Sequence, residues 1–507
     1  MRNADAARAY HEATKHSERS LRSNPHVLDF DNQPIPFKLY RELEPIPLPR
    51  DFTALAGPGL SALSAAPYHE AGIPSLNALS RVLYFSAGIT KRKRYPGGEQ
   101  YFRAYSNTGA LYHVDLYLVC GELPGLSAGV YHFGPHDHAL RRLREGDQRR
   151  VLADASGLEG QVTRAPAILV SASTYWRNAW KYQSRAYRHC FWDAGTLHAN
   201  LLVAAASEQL GAHVVVGFAD RAVERLLGLD PAREGALTLV PLGGAAGAAP
   251  GAPEDSELRL ETQTLSRSEI DYPAIAEMHA ASSLQQGNDA RAWRDASRER
   301  ELPPALGRLI GLNPLGDEEL PQESLQSVIL RRGSTRAFER TASLSARELA
   351  TVLERATGGL AADFLGTPDA SLIELYLIVH QVEGIPSGAY YYRRPERALE
   401  LLREGEFRAV AGRLGLFQEL PADAAVNVYC VCELESVFAA FGNRGYRAAQ
   451  LEGGILGGRM YLAAYAQRFG ATGLTFLDDE VIEFFSPHAQ GKDVMFLIAL
   501  GRSRRRS

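Results

Sequence analysis

Alternating runs of Val, Leu, Ile and Tyr predict strands over residues 114–120, 129–133, 167–173 and 236–242. Apolar residues at helical spacing predict helices over 76–87 and 184–210. The same series then recurs, with a helix over 345–357, strands over 373–380, 388–392, 425–432 and 494–500, and a long helix over 443–469. Strands mixed with packed helices in this order predict an α+β fold, a sheet with helices laid on it.

The recurrence is a duplication. Leu116-Tyr117-Leu118-Val119 returns as Leu375-Tyr376-Leu377-Ile378, Leu143-Arg144-Glu145-Gly146 as Leu402-Arg403-Glu404-Gly405, and Arg185-Ala-Tyr187-Arg188 as Arg444-Gly-Tyr446-Arg447. Each pair is 259 positions apart, as are Gly211 and Gly470 at the ends of the two long helices. The expected organisation is an N-terminal arm (1–51), a first copy (52–244), a linker (245–319) and a second copy (320–507). The arm, with Pro34, Pro36, Pro45, Pro47 and Pro49, is expected to be extended, and the linker opens on a Gly/Ala/Pro stretch. Gly453, Gly454, Gly457 and Gly458 let another backbone come close to the second long helix, either the other copy's helix, making an intrachain pseudo-dimer, or its own sheet.

Charge narrows the function classes. In 507 residues, 55 Lys+Arg against 59 Asp+Glu leave −4, so no global basic excess points to nucleic acid. The run Lys91-Arg92-Lys93-Arg94 is read as a solvated loop, and His132, His136 and His138 as a solvated hairpin turn rather than a metal site. Four scattered cysteines make no disulfide framework, no apolar run approaches the ~20 residues of a membrane span, and no signal peptide opens the chain. A cytoplasmic protein without membrane partners is expected.

Arg332-Gly-Ser334-Thr335-Arg336 sets two guanidiniums and a hydroxyl at alternate positions, where they can converge on a phosphate. This segment resembles the first flavin-binding motif of the nitroreductase superfamily. Ser106-Asn107-Thr108-Gly109-Ala110-Leu111-Tyr112-His113 is similar to the Ser-Ala-Gly-Ala-Leu-Tyr-Pro segment of SagB/ThcOx-type (azoline oxidase-like) dehydrogenases, with His113 in place of proline. Trp180-Lys181-Tyr182 before Arg185-x-Tyr187-Arg188 is similar to the Lys-Tyr motif of that group, and Tyr10-His-Glu-Ala-Thr-Lys-His-Ser17 resembles its N-terminal signature.

The resemblance implies two nitroreductase-like domains paired within one chain, with FMN between them, acting on a small-molecule or peptide substrate. Arg332, Ser334, Arg336, Gly473, Leu474, Thr475 and Arg502 of copy 2 would hold FMN. From copy 1, Ser106, Asn107, Thr108, Gly109, Ala110, Leu111 and Tyr112 would cover its ring, and Lys181 and Tyr182 would be catalytic. The reverse cleft would present Ala62, Ser64 and Ala66 for the cations, Gly244 for Arg502, Pro368, Asp369 and Ser371 for Gly109, Ala110 and Tyr112, and Ala440-Phe441 for Lys181-Tyr182. One FMN per chain is therefore expected. A SagB/ThcOx-type dehydrogenase using oxygen as acceptor, an NAD(P)H-dependent nitro or quinone reductase, and a non-catalytic flavin-binding or docking scaffold all remain open at this point.

Overall fold

The computed structural model describes residues 2–23, 26–52, 60, 63, 72–95, 98–244, 247, 249–251, 257–296, 302 and 304–504. Ala62, Ser64 and Ala66 lie outside them.

The arm holds α1 (Asp5–Ala13) and β1 (Ile46–Pro47), and copy 1 follows with α2 (Leu76–Ala87), a ribbon of β2 (Ile89–Tyr95) and β3 (Gly98–Arg103), then β4 (Val114–Cys120), β5 (Gly129–Gly134), β6 (Ala139–Glu145) and β7 (Ala167–Thr174). It continues through α3 (Tyr175–Tyr182), α4 (Ala186–Ser207), α5 (Asp220–Leu227) and β8 (Glu234–Leu242). After it come α6 (Pro273–Ala281), β9 (Leu309–Gly311), α7 (Ala346–Thr357), β10 (Ile373–Val379), β11 (Gly388–Arg393), β12 (Ala398–Glu404) and β13 (Val426–Cys432). The chain closes with α8 (Leu434–Ala466), β14 (Gly470–Leu474), α9 (Asp478–Phe485) and β15 (Asp493–Gly501).

One sheet has the order β1-β6-β5-β4-β7-β8, the other β14-β15-β13-β10-β11-β12-β9. The duplication holds to the single residue. Tyr117 pairs with Val170 and Tyr376 with Tyr429, both 259 apart. The bulge at Val130/Tyr131 returns at Ala389/Tyr390, and the one at Ser171/Ala172 returns at Cys430/Val431. Bulges fix register, so the copies share strand phase as well as order. All four cysteines are buried, and none forms a disulfide among the described residues.

Both readings of the glycine stripe hold, on different faces of α8. A Cβ on Gly454 would stand 2.5 Å from the Trp192 carbonyl of α4, and one on Gly458 would stand 2.6 Å from the Ala199 methyl. A Cβ on Gly453 or Gly457 would instead meet Met495 or Phe496 of β15, on the helix's own sheet. The α4–α8 crossing is the centre of an intrachain pseudo-dimer.

The arm differs from the extended segment expected, and the linker carries a helix of its own. Helix α1 buries Ala7, Tyr10 and His11, and α6 buries Ile275, Met278 and His279. The two are counterparts, 268 positions apart. His11 bonds the Tyr446 hydroxyl (3.1 Å) and His279 the Tyr187 hydroxyl (3.3 Å), each reaching the long helix of the other copy. Asp478, heading α9, receives Arg185, Arg188 and the His16 N–H, while Asp220, heading α5, receives Arg444, Arg447 and the Leu284 N–H. Burial alone would raise both carboxyls, but the paired arginines outweigh it and hold each below its usual value. The R-x-Y-R motif thus joins the copies. Among the described residues no helix is long and apolar enough to cross a membrane.

Candidate functional site

The turn between β3 and β4 is anchored on α4. Thr108 donates its N–H (2.9 and 3.1 Å) and its hydroxyl (2.8 Å) to the Asp193 carboxylate, which also meets His113 Nε2 at 2.7 Å. Thr196 donates to the Ser106 carbonyl, and the Asn107 side chain accepts the Tyr112 N–H at 2.7 Å. Gly109, Ala110 and Tyr112 all have positive φ, a cost of order 1–3 kcal/mol for each of the last two that these anchors offset. Leu111 and Tyr112 are buried, and the Tyr112 hydroxyl accepts the Arg103 N–H (3.1 Å), so these two support the turn from beneath. Ser106, Asn107, Thr108 and Ala110 are half-buried and Gly109 is exposed.

Lys181 and Tyr182 end α3, whose orientation is set one turn earlier. Arg177 donates to the Tyr112 carbonyl (3.0 Å) and to the buried Asp115 (3.2 Å), tying the helix to the turn. The Tyr182 ring stands edge-on to His189, with centroids 4.6 Å apart. Its hydroxyl would be 2.9 Å from a Cβ on Gly109, so the glycine makes room for it. Burial, reinforced by Asp193, raises the Tyr182 pKa, leaving a neutral phenol able to donate. Lys181 Nζ is 5.4 Å from the Tyr182 ring centroid and forms no ion pair among the described residues. Gln183 follows with φ 50° and ψ −141°, strained for any side chain. Its counterpart, 259 positions on, is Gly442, with φ 60° and ψ −155°.

Copy 2 meets this turn through Arg332, which donates to the carbonyls of Ala104 (3.1 Å) and Arg103 (3.0 Å). Arg332 also lies over the Tyr461 ring. The Tyr461 hydroxyl meets Ser334 Oγ (3.1 Å) and accepts the Gly473 N–H. Tyr461 thus gathers Arg332, Ser334 and Gly473, a role without a local sequence signal because it sits in an apolar stretch of helix. Arg336 is exposed without an ion pair among the described residues. Arg502 is engaged by Glu348 (2.7 Å). Leu474 and Thr475 are half-buried.

These residues fit a flavin mononucleotide. The Thr475 hydroxyl oxygen is buried without a hydrogen-bond partner, and the N–H groups of Thr475 and Phe476 have none among the described residues. Such groups need an acceptor.

The reverse cleft supplies that acceptor from within the chain. The counterparts of Thr475 and Phe476 are Val216 and Gly217, and both donate to the Asp363 carboxylate (2.8 and 2.9 Å). Val214 exchanges backbone bonds with Ala361 and Asp363 (2.9 Å each). Asp363 corresponds to Ala104, which leaves the amides of the first cleft open. Phe441, at the place of Tyr182, is buried against Trp293, and Glu452, counterpart of Asp193, binds Ser371 and the Leu372 N–H (2.9 Å).

The histidine turn is not the solvated one expected. His132 and His138 are buried and His136 is half-buried, with His138 on the Ser80 hydroxyl (2.8 Å), His132 3.9 Å from Asp115 and His136 beside Arg141 (3.3 Å), so the three rings face separate partners.

Two sheets of one design, joined by reciprocal clamps and by Arg332 reaching from one copy to the turn of the other, define a tandem α+β protein built on an internal dimer. Residues 97–244 and again 329–502 match the Nitroreductase family, and the chain belongs to it. The nitroreductase-family protein MJ1384 of Methanocaldococcus jannaschii is 28% identical over 145 residues, 29% of this chain and 72% of that one. The trifolitoxin-processing protein TfxB of Rhizobium leguminosarum bv. trifolii is 29% identical over 149 residues, 28% of this chain and 40% of TfxB. A nitroreductase-family crystal structure from Anabaena variabilis superposes along almost the whole chain, with a TM-score of 0.78, 27% identity, and coverage of 99% and 100%. The tandem architecture is therefore shared.

Proposed function

We propose that the chain is an FMN-dependent oxidoreductase holding one coenzyme in the cleft between Arg332 and the 104–113 turn. The observation that carries this reading is the asymmetry at equivalent amides. Val216 and Gly217 are satisfied by Asp363, whereas Thr475 and Phe476 are left for an outside acceptor. Arg332, Ser334 and Arg336 would receive the phosphate, with Arg502 released from Glu348 to join them. The half-buried residues of the 106–110 stretch and the Gly473-Leu474-Thr475 segment would line the ring.

Bound flavin would supply hydride acceptance at N5. The chain's own residues would handle the proton, with Lys181 Nζ taking it from the substrate and the neutral Tyr182 phenol donating a hydrogen bond that orients the reacting group. The similarity to TfxB and the Ser106–His113, Lys181-Tyr182 and Tyr10–Ser17 segments support a SagB/ThcOx-type dehydrogenation, azoline to azole, with oxygen as final acceptor.

Reconstitution tests it. Purified chain with FMN should hold one flavin, and Arg332→Ala with Arg336→Ala should lose it. Anaerobic bleaching by an azoline compound but not by NAD(P)H supports the dehydrogenase. Bleaching by NAD(P)H alone would replace it with the reductase, and bleaching by neither would leave a scaffold.

A further inference from the structure

The run 91–94, expected to be a solvated loop, is instead strand β2 of a free-standing ribbon with β3. This ribbon is an insertion. Ser75 and Ser345 cap α2 and α7, and Gly88 and Gly358 end them, at an offset of 270. From Ala104 and Asp363 onward the offset is 259, so copy 1 carries eleven extra residues between Gly88 and Ala104. Copy 2, whose loop is committed to filling the reverse cleft, lacks them.

The ribbon's two faces differ. Arg92 lies over the Tyr101 ring and donates to the His136 carbonyl (3.4 Å), and Tyr101 packs on Phe37 (5.2 Å between centroids), which fixes this face to the body of copy 1. Lys91, Lys93 and Phe102 occupy the opposite face, with Lys93 Nζ 5.6 Å from the Phe102 centroid. Arg94 pairs with Glu99, but Lys91, Arg92 and Lys93 have no ion pair among the described residues. β2 and β3 pair only with each other among the described residues, so their outer edges keep unpaired backbone groups. Lysines keep such an edge from joining its own copies, and an acidic strand would meet no such barrier. β3 ends at Arg103, whose carbonyl accepts Arg332, and leads straight into the turn at the cleft.

We propose that the ribbon docks an extended acidic segment of a peptide substrate. The peptide's backbone would add to the open edge, its Asp or Glu side chains would neutralise Lys91 and Lys93, and its reactive residue would be led toward the cleft. The ribbon's charge is local in a chain of net −4, which suits a short acidic stretch better than a continuous polyphosphate. Where the peptide leads rests on the flavin-cleft reading, while its binding does not.

The test is fluorescence anisotropy of the full chain with a labelled peptide of about ten residues alternating Glu and Val, beside the same peptide with Lys for Glu and a labelled DNA duplex. The acidic peptide should bind, about tenfold or more weakly to Lys91→Gln/Lys93→Gln, and binding should fall steeply between about 0.05 and 0.5 M salt. Flavin content and circular dichroism of the variant should match the parent. Absent binding, binding unchanged in a folded variant, or tighter binding of the duplex would overturn the proposal. Peptide binding by a chain that takes up no flavin would sink the oxidoreductase reading and leave docking intact, and flavin uptake without peptide binding would do the reverse.

Discussion

Lys181 and Tyr182 share the end of a helix, yet their surroundings assign them different work: the phenol is held neutral by burial, while the Lys181 side chain forms no ion pair among the described residues. Lys181→Ala should therefore retain flavin and lose turnover by about 10²–10⁴-fold, measured as kcat in the reconstituted enzyme. The next residue offers a separate test. Gln183 sits in a conformation that its counterpart reaches with glycine, so Gln183→Gly should raise unfolding stability by about 1 kcal/mol in urea titration, strain relief exceeding the entropy of a freer unfolded chain. Arg332, Ser334, Gly109 and Lys181 were legible as candidates because each belongs to a local motif. Tyr461, Asp193 and Asp363 were not, because each acts on a partner tens to hundreds of positions away. Arg502 shows the converse: its motif position was plain, but its engagement by Glu348 depends on how α7 packs.

Strands and long helices were legible because their alternation and spacing reflect one-sided or complete burial. The ribbon was missed because β2 has no buried face to impose alternation, and α1 and α6 were missed because each presents few apolar residues to its clamp. Buried titratable groups, in the clamps and outside them, set the acid response. Burial pushes His138 down to about 4, and burial with Arg294 pushes His213 to about 4 as well. Below about pH 6.5 the unfolded chain takes up protons that these folded rings refuse, so stability should fall from about pH 6.5 toward pH 4. Asp220 and Asp478, held below the usual carboxylate value, contribute above about pH 4 and lose that contribution as the pH drops further. Urea midpoints across this range should decline in two stages. Arg447→Ala, which leaves the buried Asp220 with Arg444 alone, should cost about 3–5 kcal/mol in the same assay.

At the scale of the whole molecule, the covalent connection between copies adds little to contacts that already interlock. α4 crosses α8 at backbone distance, and α1 and α6 each reach the opposite long helix. Fragments 1–250 and 251–507 produced together should copurify as one complex, seen by size-exclusion chromatography, and should bind one flavin per pair.

The Asp363 carboxylate also makes one half self-sufficient. With a permanent acceptor for two of its peptide groups inside the chain, that half needs no visiting molecule to stay packed. It can stand as framework while its twin keeps equivalent groups open. Asp363→Ala would remove that internal stopper and give both halves the same unmet demand.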